Sequence, residues 1–230
     1  MSLHKPTASG CGWRREQVLN TSVDFELILV DPQAALCSAF REFFQEAPRI
    51  QIVNGWFQSL AAFDCMVSPA NSFGLMDGGI DAAIIDFFGY QLMRRVQDGI
   101  LQEYLGEQPV GTSLIVETGQ AKHPYLAHSP TMRVPMDIAH TDNVYLAMFA
   151  MLRAVYHHNR CGKPPIATVA CPGLGTGTGH VPFREAARQM ALAYANFLNP
   201  PSFMDWTYAD RRQGEVRYGG DIGLHFPPLL

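Results

Sequence analysis

The chain has 230 residues, 47% of them apolar, and a net charge of −4. That apolar share is enough for one well-buried core. The mild acidity excludes a general electrostatic grip on a nucleic-acid backbone, no apolar run approaches the roughly 20 residues of a membrane-spanning helix, and "MSLHKPTASGCGWRREQ" lacks the order of a secretory signal. The five cysteines are odd in number, form no C-x-x-C pair and sit mostly in apolar segments, so they read as reduced thiols of a cytoplasmic protein. Adjacent His157 and His158 point about 100° apart on a helix and cannot share one ion, so neither a metal nor a cofactor is expected.

In chain order, residues 1–20 read as a flexible extension, 21–199 as one domain and 200–230 as a tail without a predicted element. Residues 25–31 (FELILVD) form a β-rich run, followed by a helix in which Ala35, Phe40, Phe43 and Phe44 share a stripe; Pro32 suits its first turn and Pro48 ends it. Two more strands follow, 50–57 and 63–69. Residues 80–104 read as one long helix with Ile84, Phe88, Leu92, Val96 and Ile100 repeating every four residues; Gly89 within it implies close backbone packing. Strands are predicted at 111–118 and 125–130, then a helix over 142–158 capped by Thr141. Residues 166–172 (IATVACP) lack alternation, the mark of a strand buried on both faces, and lead through glycines into a helix carrying Phe183, Ala187, Met190, Tyr194 and Phe197 on one side. Alternating strands and helices predict an α/β protein, a three-layer α/β/α sandwich around a mostly parallel sheet.

Ligands bind such a sheet at the carboxyl ends of its strands. Two loops there are stripped of side chains: "NSFGLMDGGID" and "PGLGTGTGH". Each runs toward a helix N-terminus, where free N–H groups and the dipole favour an anion, and glycine allows close approach. Two cradles facing one crevice suit a diphosphate or a phosphate flanked by sugars. Neither carries the lysine of a P-loop, and no acidic residue follows the second at the distance a dinucleotide fingerprint requires.

The stretch "SPANSFGLMDGGID" with "AAIIDFFG", and "ACPGLGTGTGHVP" with "REAARQMALAYANFL", resembles the macro domain family, the ADP-ribose-binding module. The likeness extends over residues 23–198 and covers the strand in "PVGTSLIVETGQ". It implies a mixed, mostly parallel sheet and an ADP-ribose or ADP-ribosylated-protein partner. By that resemblance Asn71 contacts the distal ribose, and Ser72, Gly78, Gly79 and Ile80 belong to the loop beside it. Asp81 matches the aspartate of hydrolytic members, Gly175, Thr176, Gly177 and Thr178 wrap the diphosphate, and Gly179 is a further ligand-binding position, beside the distal ribose. Trp56 stands where many members place the aspartate that recognises adenine, Gly179 replaces an aromatic residue, and the paired glutamates of the chain-cleaving branch are absent.

A first-turn aspartate has its charged form favoured by the helix dipole, so Asp81 is expected to stay ionised near neutrality, a modest proton acceptor that orients water at the ribose C1″, stabilises positive charge developing on the ribose, or holds a hydroxyl. Its other reading is a helix-capping carboxylate, and Asn71's is a turn asparagine bonded to its own backbone. Trp56 reads as core or as a stacking platform, Arg133 as a surface ion pair or a phosphate contact, and His180 as a solvated loop histidine or a phosphate contact; Cys171 has no identifiable histidine partner. Three functions are left open: an ADP-ribosyl-ester hydrolase, a non-catalytic ADP-ribose reader, and an interaction domain with a degenerate pocket. Oligomeric state and nucleobase preference are not fixed by the sequence.

Overall fold

The computed structural model describes residues 24–217. The predicted N-terminal extension and the end of the tail lie outside those residues.

Six strands form one sheet: β1 (Glu26–Asp31), β2 (Ile50–Asn54), β3 (Cys65–Ser68), β4 (Leu114–Glu117), β5 (Tyr125–His128) and β6 (Thr168–Cys171). Their order is β2-β1-β6-β3-β5-β4, parallel throughout except for β4 at one edge. Alternate strand residues feed two cores. Leu27, Leu29, Cys65, Val67, Val169 and Cys171 face α1 (Ala34–Phe43), α4 (Asn143–His158) and α5 (Phe183–Leu198), while Ile28, Val30, Met66, Leu126 and Ala170 face α2 (Gly79–Phe88) and α3 (Gln91–Tyr104). This is the three-layer arrangement expected, with residues of β6 buried on both faces.

Local details differ from the sequence pattern. The predicted helix 80–104 is two helices: Gly89 takes φ +95, which ends α2, and no atom would crowd a Cβ there, so the glycine is present for its dihedral and not for close packing. Ala35 is exposed, whereas Leu36, Cys37, Ala39 and Phe40 are the buried face of α1. Thr141 lies one residue ahead of the N-cap, Asp142, but its Oγ1 still accepts from Asn143 N–H at 3.3 Å. The tail contains a sixth helix, α6 (Trp206–Val216). Asp205 caps it, accepting from Tyr208 N–H at 2.8 Å, and Arg188 of α5 donates to the Glu215 and Val216 carbonyls at 3.0 and 2.8 Å. The Asp205 cap is the signal in the sequence that marks this helix. Among the described residues no helix is long and apolar enough to cross a membrane.

What positions the site is the pairing of β3 with β6. Cys65 lies beside Val169 and Met66 beside Ala170, so the loops leaving these two strands emerge side by side.

Candidate functional site

Loop 1 (residues 69–78) leaves β3 and enters α2; loop 2 (residues 172–182) leaves β6 and enters α5. Both wall one open cleft. Asn71, Gly78, Gly79, Ile80 and Asp81 line it from loop 1 and the start of α2, and Gly175, Gly177, Thr178 and Gly179 line it from loop 2. A third wall, absent from the sequence reading, comes from the connection between β5 and α4 through Thr131, Met132 and Pro135. It forms because the chain after β5 keeps running alongside loop 1: Thr131 N–H donates to Ala70 O at 3.0 Å, and Asn71 bridges to Met132. Further on, Ile138 N–H donates to Gly179 O at 3.0 Å, so this connection clasps both loops. The signal for it was Pro130 and Pro135, which bar a regular element between them.

In loop 1 the Asn71 side chain holds the turn. Its Oδ1 accepts from Phe73 N–H at 3.1 Å and from Leu75 N–H at 3.3 Å, and its Nδ2 donates to Leu75 O at 2.7 Å. Both carbonyl lone pairs are used, which leaves one Nδ2 proton to offer a ligand. Ser72 faces away from the cleft, buried, with its N–H shared between Met132 O and Arg133 O, both at 3.1 Å. Beneath it Gln108 fixes the loop: its N–H donates to Ser72 O, its Nε2 donates to His128 O, and its Oε1 accepts from His128 Nδ1 at 2.7 Å. Burial pushes His128 down to about 3, so the imidazole there is neutral.

Loop 2 carries its conformation in the main chain. Gly175 takes φ +70, Val181 N–H closes on Gly175 O at 3.1 Å and His180 N–H on Gly177 O at 3.0 Å. Gly179 lies so near its neighbours that a Cβ would meet Gly175 O at 2.6 Å and Ile138 Cγ1 at 2.7 Å. Gly177 has open space instead. Among the described residues the N–H groups of residues 175–179 find no internal acceptor, and α2 starts at the cleft without a side-chain cap. Unpaired amides beside a cleft are suited to receive an anion. The expectation that both loops deliver a helix N-terminus holds for α2; no residue of α5, which begins at Phe183, lines the cleft.

Asp81 departs from its expected state. It is 8% exposed, and Ser68, fully buried at the end of β3, donates to its Oδ1 at 2.7 Å. Desolvation raises the carboxyl from its ordinary range to about 7; the Ser68 bond opposes the shift and the nearby charge of Asp77 adds to it. Burial therefore outweighs the helix dipole, and Asp81 titrates near neutrality instead of remaining fully ionised. Ser68 is the partner that sequence reasoning missed. It lies inside a strand, and only the folded register aims it at α2.

Other expected residues sit elsewhere. Trp56 follows β2, on the far edge strand; it is 61% exposed, neither core nor part of the cleft lining. Thr176 turns its Oγ1 toward Gly173 O at 3.4 Å and does not line the cleft. Arg133 pairs with Glu107 at 2.8 Å on the surface, and His180 with Asp137 at 3.3 Å, both exposed. Cys171 is buried inside β6 with its thiol pushed up by desolvation, which removes it as a nucleophile. Among the described residues no group of three or more His, Cys, Asp or Glu could hold a metal ion.

The family model described as "Macro domain" matches residues 67–190, which include both loops and all three walls of the cleft. The chain belongs to the macro domain family. This macro domain is 34% identical over 148 residues to an uncharacterized protein of Aquifex aeolicus (strain VF5), covering 64% of the chain and 82% of that relative. It is 29% identical over 133 residues to an uncharacterized protein of Aeropyrum pernix, covering 56% and 62%. Among solved structures it is similar to the macrodomain of Mycobacterium tuberculosis DarG, with TM-score 0.50, 21% identity, and coverage of 62% of this chain and 91% of that one. It is also similar to a mutant macrodomain of Oceanobacillus iheyensis solved with ADPR, with TM-score 0.52, 19% identity, and coverage of 71% and 89%. At these identities the structural likeness speaks for the fold.

Proposed function

We propose that this macro domain binds ADP-ribose across the cleft and hydrolyses an ADP-ribosyl ester, on a protein or on a small ADP-ribose derivative. The observation that carries the reading is Asp81: a buried carboxyl, aimed by Ser68, in the same cleft as loop 2's unpaired amides. The amides and the start of α2 receive the diphosphate and fix the distal ribose near Asp81. A carboxyl titrating near 7 is matched to accepting a proton from water at neutral pH. The carboxylate released from C1″ is a good leaving group and needs no acid. Support from outside the chain is the family membership and the similar Oceanobacillus iheyensis structure with ADPR. The buried thiols Cys37, Cys65 and Cys171 accord with a cytoplasmic setting, which belongs to the same proposal.

The test is release of ADP-ribose from a glutamate-linked mono-ADP-ribosylated protein, wild type beside Asp81→Ala. The expected loss is about 10²–10⁴-fold in turnover, with ADP-ribose affinity within a few-fold by calorimetry. Equal release by both proteins refutes the role of Asp81. A second reading, a reader that binds without turnover, is favoured by Asn71, whose amide is largely consumed by its own loop. Binding without any release by the wild type would select it.

A further inference from the structure

Asp77 and Asp81 are the only charged residues that line the cleft among the described residues, and both are acids. No cationic side chain offsets them. Two carboxylates facing an anionic ligand oppose its binding, so their presence calls for a chemical reason. Their surroundings differ sharply. Asp81 is buried at the start of α2 under Ser68, whereas Asp77, two residues before that helix, stands in solvent at the rim. A buried acid and a solvent-facing acid in a single site are suited to divide into a proton donor and a proton acceptor. Burial, with a further push from Asp77's own charge, lets Asp81 hold a proton near neutrality.

We infer that Asp77 is a second catalytic residue, and that with Asp81 it extends the site to ADP-ribosyl O-glycosides of hydroxyl groups, whose alkoxide leaving group an ester hydrolase need not handle. The inference rests on ADP-ribose occupying the cleft as proposed. Protonated Asp81 gives its proton to the glycosidic oxygen as the C1″–O bond breaks, its electron pair going to that oxygen. A water molecule forms the new bond to C1″ and yields a proton to the Asp77 carboxylate. The products are ADP-ribose and the free alcohol, and the two carboxyls exchange their proton through solvent. This is the two-carboxylate logic of glycoside hydrolysis, one carboxyl serving as acid and the other as base.

Because Asp81 acts as a base toward the ester and as an acid toward the glycoside, the two substrates carry opposite pH signatures. Ester turnover rises as pH passes through about 7, and glycoside turnover falls over the same range. The experiment measures both, using a peptide ADP-ribosylated on serine and one ADP-ribosylated on glutamate, with wild type and Asp77→Asn. The expected result is cleavage of both peptides by wild type with crossing pH profiles. Asp77→Asn should lose about 100-fold or more in glycoside turnover, with ADP-ribose affinity within threefold, and added formate should restore part of it by supplying the missing carboxylate. The crossing profiles test the two roles of Asp81, and the rescue tests Asp77: a residue that merely compensates the helix dipole would not be replaced by formate. Glycoside turnover that rises with pH, an Asp77→Asn variant within threefold of wild type, or failure of formate to rescue overturns the inference. Cleavage of the glutamate peptide alone overturns it and leaves the proposed function standing; cleavage of neither overturns both.

Discussion

Loop 1 is held open by a side chain, Asn71, whose amide makes three bonds to its own turn, whereas loop 2 is held by main chain and by the exclusion of side chains at Gly175 and Gly179. Loop 1 therefore has titratable side chains next to its amides, with Asp77 and Asp81 at its end, whereas among the described residues the only side chain loop 2 brings to the cleft is the Thr178 hydroxyl. On the proposed function, recognition of the anion and reaction at the sugar divide between two strand ends. A surface built from backbone cannot be retuned one residue at a time, but one built from side chains can.

The largest effect that would break this comparison is expected at Gly177, where a Cβ meets open space but the position faces the cleft. Gly177→Glu places a third carboxylate at the amide cradle and should lower ADP-ribose affinity at least about 100-fold, with an unchanged melting temperature. Unchanged affinity would remove loop 2 from the diphosphate site.

Next in size is the stability cost of Asp81. Its folded pKa, about 7, stands above the unfolded value of 3.8, so the native state holds the proton more tightly. The associated stabilisation is complete below about pH 4 and is lost as pH rises to 7. Asp81→Asn, which carries no charge to desolvate, should therefore be more stable than wild type at pH 8 by up to about 4 kcal/mol, with the difference vanishing near pH 4. Urea titrations at the two pH values measure it, and a difference independent of pH would mean that Asp81 is not desolvated as described.

A smaller loss is expected from Gly179→Ala. The new methyl group meets a carbonyl oxygen at 2.6 Å and the Ile138 side chain, an overpacking that costs about 1–3 kcal/mol. Gly78→Ala, at φ −143 in open space, should leave stability within about 0.5 kcal/mol. Equal effects at the two glycines would erase the distinction between a packed loop and an open one. The smallest change is expected for Ser68→Ala. It removes the bond that lowers the Asp81 pKa, so the rise of ester turnover with pH should move upward by about one unit or less; a downward move would reverse the assigned role of Ser68.

Much of the fold was legible because its signals are local. The unbroken apolar run of β6 marked a strand buried on both faces, and the four-residue repeat from Ile84 to Ile100 marked helix, though not the break at Gly89, where a positive φ interrupts a pattern that its side chains continue. The helix after Asp205 was passed over because its exposed, polar face has weak periodicity, and its hold on α5 comes from Arg188, a residue far away in the chain. In the site, both glycine loops and Asp81 stood out by their spacing, whereas Ser68 and the wall at 131–135 did not, because neither owes its place to its own neighbours in sequence.

By itself, then, the sequence determined where bare backbone is exposed, that an aspartate begins the helix after the first such loop, and most of the segments that form strands and helices, though not α6 or the break between α2 and α3. Only the tertiary structure decided that the two loops share a cleft, since that depends on Cys65 pairing with Val169. Only it decided that Trp56 stands apart on the edge, and that Asp81 lies out of water with a serine above it and a second carboxylate beside it. Dihedral preference and periodicity act within a few residues, but desolvation is set by whatever the fold packs over a group, and no local pattern records that.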